Sequence, residues 1–177
     1  DTVRTDRLSL YGYGRPTSPH LEELAESSTV YERAWSTSSW TAPAHASILT
    51  GLYPVAHQST QEDWTLRESA RTLAEILGEH GYETIAVVGN PVVAPRRRFD
   101  QGFDEFVDAW RFQSARQQAG AGTAPVDEFS VAAIGRILER RDPERPLFLF
   151  VNLIGPHSPF DSCGRHCGRF ADPSAPM

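Results

Sequence analysis

The chain has 177 residues and carries 23 acidic against 17 basic side chains, a net charge of −6; it offers no general basic field for nucleic acid or anionic lipid. That length corresponds to about one domain and can bury roughly 70% of its unfolded surface. No apolar run is long enough to span a membrane, and none reads as a signal peptide. The basic residues are all Arg, which reads as a genome bias, although Arg grips phosphate and sulfate through two donors at once. Two cysteines, Cys163 and Cys167, are too few to mark an oxidising compartment. The segment is expected to be soluble, with a cytoplasmic location favoured.

The chain opens on Asp1-Thr2-Val3-Arg4-Thr5-Asp6-Arg7 and runs to Tyr11-Gly12-Tyr13; Arg4 and Asp6 read as an ion pair holding this loop. Gly12-Tyr13-Gly14 is not a dinucleotide loop, because the third glycine of that fingerprint would fall on Thr17 and no strand precedes it. Ser18 as N-cap and Pro19 at the first helical position predict a helix ending near Ser27. Residues 29–35 alternate apolar and polar, the pattern of a short half-buried strand. Residues 38–51 follow, with hydroxyls first, Pro43 where a helix would start, small residues after it and Gly51 last: a loop feeding a short helix. Thr41 then stands at or beside a helix N-terminus, where unpaired N–H groups and the dipole favour an anion that a hydroxyl could attack. These residues alone fit equally a simple cap by Thr41 or Ser39.

Leu66, Ala70, Leu73, Ala74 and Leu77 recur at helical spacing and predict a helix over 66–80, stopped by Gly81. Residues 82–90 read as a buried strand around Ile85-Ala86-Val87-Val88, with Asn90 at its end. Arg96-Arg97-Arg98 reads as a solvated loop that could grip an anion. A short strand is expected at 105–107, and residues 113–125, rich in Gln, Ala and Gly, form the best candidate for a mobile loop. Residues 127–141 are a helix with acids at its start and arginines at its end. The continuous apolar run 146–153 marks a strand buried on both faces, and His157 follows directly. Cys163, His166 and Cys167 fall short of a four-ligand zinc spacing.

Three of these segments resemble the sulfatases and related hydrolases of the alkaline phosphatase superfamily. Thr41-Ala42-Pro43-Ala44-His45-Ala46-Ser47-Ile48-Leu49-Thr50-Gly51 matches their nucleophile segment, Cys or Ser, any residue, Pro, Ser, Arg, two residues, Leu, one residue, Thr-Gly. Asp1-Thr2-Val3-Arg4-Thr5-Asp6, running on to Tyr11-Gly12-Tyr13, is similar to the family's Asp-Thr-Leu-Arg-Ala-Asp and Tyr-Gly-Tyr. Gly155-Pro156-His157-Ser158-Pro159-Phe160 resembles the acidic residue, Pro or Ala, His, any residue, Pro and aromatic that close a family strand. Gln101-Gly102-Phe103-Asp104 is similar to a structural family turn. The departures are specific: Thr41 replaces Cys or Ser, Ala44 and His45 replace Ser and Arg, Leu52 replaces another Arg, and Gly155 replaces the acid.

The resemblance implies an alkaline phosphatase-like three-layer α/β/α sandwich, partial, with 1–177 as an incomplete N-terminal part of one catalytic domain whose first strand and C-terminal half are missing. It implies a metal-dependent hydrolase of small-molecule sulfate or phosphate esters. Thr41 as nucleophile favours phosphoester or phosphodiester chemistry, because Thr does not fit the formylglycine modification of true sulfatases. His157 is implied as a catalytic group on the ester oxygens; His45, Asn90 and His157 as substrate-binding; Asp1 and Thr41 as metal ligands. The metal would be Zn or Mn with His in the ligand set, or Ca or Mg with oxygen alone. A phosphotransferase of the same superfamily and an inactive sulfatase-like binding domain are the alternatives, and the fragment alone is expected to turn over little.

Overall fold

The computed structural model describes residues 2–120, 125–158 and 169–170. In chain order these form helices α1 (Pro19–Ala25), α2 (Thr41–Thr50), α3 (Pro54–His57) and α4 (Leu73–Glu79), strands β1 (Glu83–Val88) and β2 (Glu105–Asp108), helices α5 (Ala109–Gln118) and α6 (Val126–Arg140), and strand β3 (Leu147–Asn152). The sheet is parallel, in the order β2-β1-β3. Ile85 pairs with Glu105 on one side and Leu149 on the other.

Side-chain alternation along the strands assigns the layers. Ala86 and Val88 of β1, with Phe106 and Phe150 from its neighbours, pack against Ala42, Ala46 and Leu49 of α2. Ile85 and Val87, with Val107 and Leu149, face the opposite way against Ala133, Ile134 and Ile137 of α6. The result is an α/β/α sandwich, as the resemblance implied. Leu49, Leu66, Ile85 and Phe99 are fully buried, each worth about 1.5–3 kcal/mol relative to exposure.

Several boundaries differ from the sequence reading, each for a local reason. Residues 29–35 form no strand: Tyr31 is 72% and Trp35 89% exposed, so the alternating pattern has no sheet to pair with. The helix expected over 66–80 begins only at Leu73. Thr72 caps it, accepting from Glu75 N while the Glu75 carboxylate accepts from Thr72 N, a capping box. Leu66 and Ala70 are still buried, but from the loop before it. Residues 109–118, of which 113–118 fall in the expected mobile loop, are helical, opened by the Asp108 side chain accepting from Arg111 N; Ala, Gln and Arg are strong helix formers. Residues 121–124 lie outside the described part, as do Cys163, His166 and Cys167. Strand β3 is half-exposed along most of its length, with Val151 38% exposed, because among the described residues it pairs only with β1.

The turn before β2 docks on that capping box. Gly102 has a φ of +83°, and a Cβ there would meet Glu75 N at 2.5 Å. Thr72 Oγ1 donates to Gln101 O at 3.0 Å, and Gln101 Nε2 donates to the Glu75 carboxylate at 2.9 Å. The arginine triplet is occupied within the chain. Arg97 lies 4.1 Å above the Trp64 ring, Arg98 pairs with Glu68 at 3.1 Å, and Arg96 donates to the Pro91 carbonyl. Arg4 and Asp6 form the expected exposed pair, at 2.6 and 2.9 Å.

Candidate active site

In an open parallel sheet, ligands gather outside the carboxyl ends of the strands, where neighbouring connections diverge. Here that edge carries Asn90 after β1, the start of α5 after β2, and the 153–158 turn after β3, and α2 points its N-terminus at the same place. Two adjoining hollows, about 300 and 320 Å³, open there. Thr41, Val92 and His157 line both of them.

Thr41 is the first residue of α2. The N-cap position is held by Trp40, which makes no side-chain capping bond, so that position falls on neither Thr41 nor Ser39. Pro43 has no N–H, and the first helical bond comes from Ala44 N to Trp40 O at 3.1 Å. The helix end therefore turns its positive pole and its leading amides towards the hollow beside Thr41.

His45, one turn further on, is only 8% exposed. Its Nδ1 donates to the Thr41 carbonyl at 2.8 Å, which leaves Nε2 to accept from Asn152 Nδ2, also at 2.8 Å. Burial lowers its pKa below the ordinary 6.5, so the ring is neutral. Rather than lining either hollow, it fastens Thr41 to the end of β3 from beneath. Asn152 Oδ1 has no partner among the described residues.

His57 is fully buried. Its Nδ1 accepts from Ser59 N at 3.1 Å, and its Nε2 faces Ser47 Oγ at 3.0 Å, to which Thr37 Oγ1 donates at 2.7 Å. Burial also lowers the pKa of this ring, against the pull of the Pro43 carbonyl. It ties α2 to α3 away from the cleft.

Asn90, 3% exposed, lines the hollow of about 300 Å³, and its Oδ1 accepts from Val92 N at 2.9 Å. His157 stands across the cleft. Its Nδ1 donates to the Ser158 carbonyl at 2.7 Å, which directs Nε2 away from that bond and makes it the ring atom available to a ligand. Asp1 lies outside the described residues.

Sequence reasoning missed two supports. Asn152 reads as the end of a strand, and only the fold brings it to His45. Asp127 reads as an acid placed for a helix dipole, yet its carboxylate accepts from Ile154 N at 3.0 Å and Gly155 N at 2.7 Å. The outer wall of the hollow that Asn90 lines comes from α5 through Trp110, Gln113 and Gln117, whose 3–4-residue spacing puts them on one face. Among the described residues no three His, Cys, Asp or Glu side chains gather as metal ligands. Taken by themselves these residues do not make a metal centre.

The architecture is that of alkaline phosphatase-like hydrolases. The phosphonate monoester hydrolase of Agrobacterium radiobacter superposes with a TM-score of 0.72 at 20% identity, over 90% of this chain and 40% of that one. The C-terminal periplasmic domain of EcEptC from Escherichia coli, solved in complex with Zn, superposes with a TM-score of 0.62 at 21% identity, over 98% of this chain and 49% of that one. The Sulfatase family model matches residues 1–176, and the chain belongs to that family. It is similar to an N-acetylglucosamine-6-O-sulfatase of Bacteroides thetaiotaomicron, 22% identical over 96% of this chain. An N-acetylgalactosamine-6-O-sulfatase of the same organism is 32% identical over 50% of it. The chain spans 32% and 18% of the lengths of these two relatives. Among the described residues no helix is long and apolar enough to cross a membrane.

Proposed function

We propose that this chain forms the nucleophile-bearing part of an ester hydrolase in which Thr41 attacks phosphorus, or less readily sulfur, of a small-molecule ester. The observation that carries the reading is the sharing of one cleft by Thr41, at a helix end without a side-chain cap, and His157. Thr41 Oγ1 gives up its proton to solvent and attacks in line as the bond to the leaving oxygen breaks, so that it becomes esterified; water then attacks the Thr ester, the bond to Oγ1 breaks and is replaced by O–H, and the acid is released. The N-terminus of α2 stabilises charge growing on the non-bridging oxygens. His157, when protonated, donates from Nε2 to the departing alcohol oxygen. His45 supports Thr41 from within the core, and Asn90 contributes its side chain to the floor of the cleft.

A divalent cation is part of the proposal, since EcEptC was solved with Zn. This chain would offer Asp1 and Thr41 to it, with further ligands needed from elsewhere; imidazole among them would suit Zn or Mn, oxygen alone Ca or Mg. Such an ion would lower the pKa of the attacking hydroxyl. The organic part of the ester would lie on the α5 wall. Trp110 with two Gln amides and, among the described residues, no Asp, Glu or Arg side chain in that hollow suits a neutral hydroxylated group, and two relatives are named for amino-sugar sulfate esters.

Aryl phosphodiesters and aryl sulfates presented to the full-length protein test the proposal. Thr41→Ala should lower turnover by about three orders of magnitude or more, the scale of losing a nucleophile, and chelation should abolish what an added divalent ion restores. Undiminished turnover by Thr41→Ala defeats the reading. One observation favours a second reading, an inactive binding domain: the position where the family carries Arg presents no cation, because both nitrogens of His45 are engaged inside the fold. Binding of the ester without turnover by the natural sequence would select it.

A further inference from the structure

The turn bearing His157 leaves β3 with few ties of its own, and the bond from His157 N to Ile154 O at 2.8 Å only closes it on itself. What fixes it to the rest of the molecule is Asp127, the second residue of α6. Oδ1 takes the Ile154 amide and Oδ2 the Gly155 amide, two successive N–H groups in one carboxylate, the charge-assisted arrangement that is both strong and directional. Two glycines leave the space for it. A Cβ on Gly155 would meet Asp127 Oδ2 at 2.5 Å, and one on Gly89, at the end of β1, would lie 3.6 Å from Oδ1 and 3.3 Å from the Asn152 carbonyl. The carboxylate thus plugs the crevice between the ends of β1 and β3. Where the resembling segment of the family carries an acid, this chain has Gly155, and a carboxylate from α6 bonds this turn instead.

We propose that Asp127 is a positioning residue: by holding the amides of Ile154 and Gly155 it sets His157 across the cleft from Thr41. The inference rests on the catalytic reading of Thr41 and His157. Its physical content is that the chemistry tolerates little drift, an ångström of misplacement at a reacting group costing up to about a hundredfold. Asp127→Asn keeps volume and one acceptor but turns an amide donor towards one of the two N–H groups.

The test is Asp127→Asn in the full-length protein, with steady-state kinetics, a urea midpoint and amide exchange by NMR. The expected result is a fall in kcat of about ten- to a hundredfold with KM little changed, faster exchange at Ile154 and Gly155, and a midpoint lowered by no more than the loss of one charge-assisted hydrogen bond accounts for. A role confined to stability would move the midpoint and spare kcat. Gly155→Ala should be damaging by itself and close to neutral when added to Asp127→Ala, because the carboxylate it collides with is gone. Wild-type kcat in Asp127→Asn despite faster exchange overturns the proposal, as does unchanged exchange at both amides. Exchange is read equally well in Thr41→Ala, so if that variant stays active the nucleophile assignment fails while the anchoring by Asp127 is still decided.

Discussion

The two walls of the cleft are built from different materials. The Thr41 wall is continuous with the core: Ala42, Ala46 and Leu49 pack on β1, and a neutral, buried His45 joins the first carbonyl of α2 to Asn152. The His157 wall is a turn beyond the edge strand β3, held by one carboxylate from the other side of the sheet. A nucleophile gains from immobility, whereas a group that must take up and give back a proton gains from contact with solvent. On the proposed reading, the contrast makes one histidine a part of the fold and gives the other to the chemistry.

Substitution of His45 is the harshest way to break the first wall. His45→Ala empties a buried ring site, leaves the Asn152 amide without the ring it donates to and takes one bond from the Thr41 carbonyl; a lost buried hydrogen bond and the cavity together should cost about 3 kcal/mol. Chemical denaturation measures it, and a loss below about 1 kcal/mol would mean that water or a rearranged Asn152 replaces the ring. Thr41-dependent activity should fall with it, since the support beneath the hydroxyl has gone.

Acid is a gentler probe of the same wall. Burial holds the pKa of His45 and of His57 below the ordinary 6.5, so the unfolded chain binds more protons than the folded one once the pH drops to that value. The stability these two neutral rings contribute is complete above 6.5 and is lost as pH falls from 6.5 towards their folded values. Urea midpoints taken from pH 7.5 downward should show this slope, and His45→Gln should flatten part of it. A slope identical in His45→Gln and in the natural sequence would assign the effect to other groups.

The contrast between the walls also explains what could be read in advance. Strand β1 announces itself by an unbroken apolar run and helix α6 by the spacing of its apolar residues, because local burial marks both segments directly. Family motif singles out Thr41 and His157, which the fold brings to one cleft, and Thr72 could have been found by its own signal, the Thr72-x-x-Glu75 box that starts α4 later than the apolar spacing indicates. Residues 29–35 misled because alternation describes a face without saying that a partner exists. Asp127 and Asn152 left no trace at all: Asp127 lies 27 and 28 residues from its amide partners, and an acid in a first helical turn already has a sufficient local explanation.

His157→Ala sharpens the comparison because it should leave stability nearly untouched. The ring is only partly buried, its one internal bond runs to the neighbouring Ser158 carbonyl, and the backbone bond that closes the turn does not involve it. A loss within about 0.5 kcal/mol is expected, typical of a surface position. Turnover should nevertheless drop by about 10²–10⁴, the usual contribution of a proton-transfer group. The drop should shrink for esters whose leaving group is already acidic, such as nitrophenyl, because a good leaving group needs no proton. An equal drop for good and poor leaving groups would move His157 from the leaving oxygen to the binding of the ester. Loss of stability on the scale of His45→Ala would return it to the fold, and the two walls would then be of one kind.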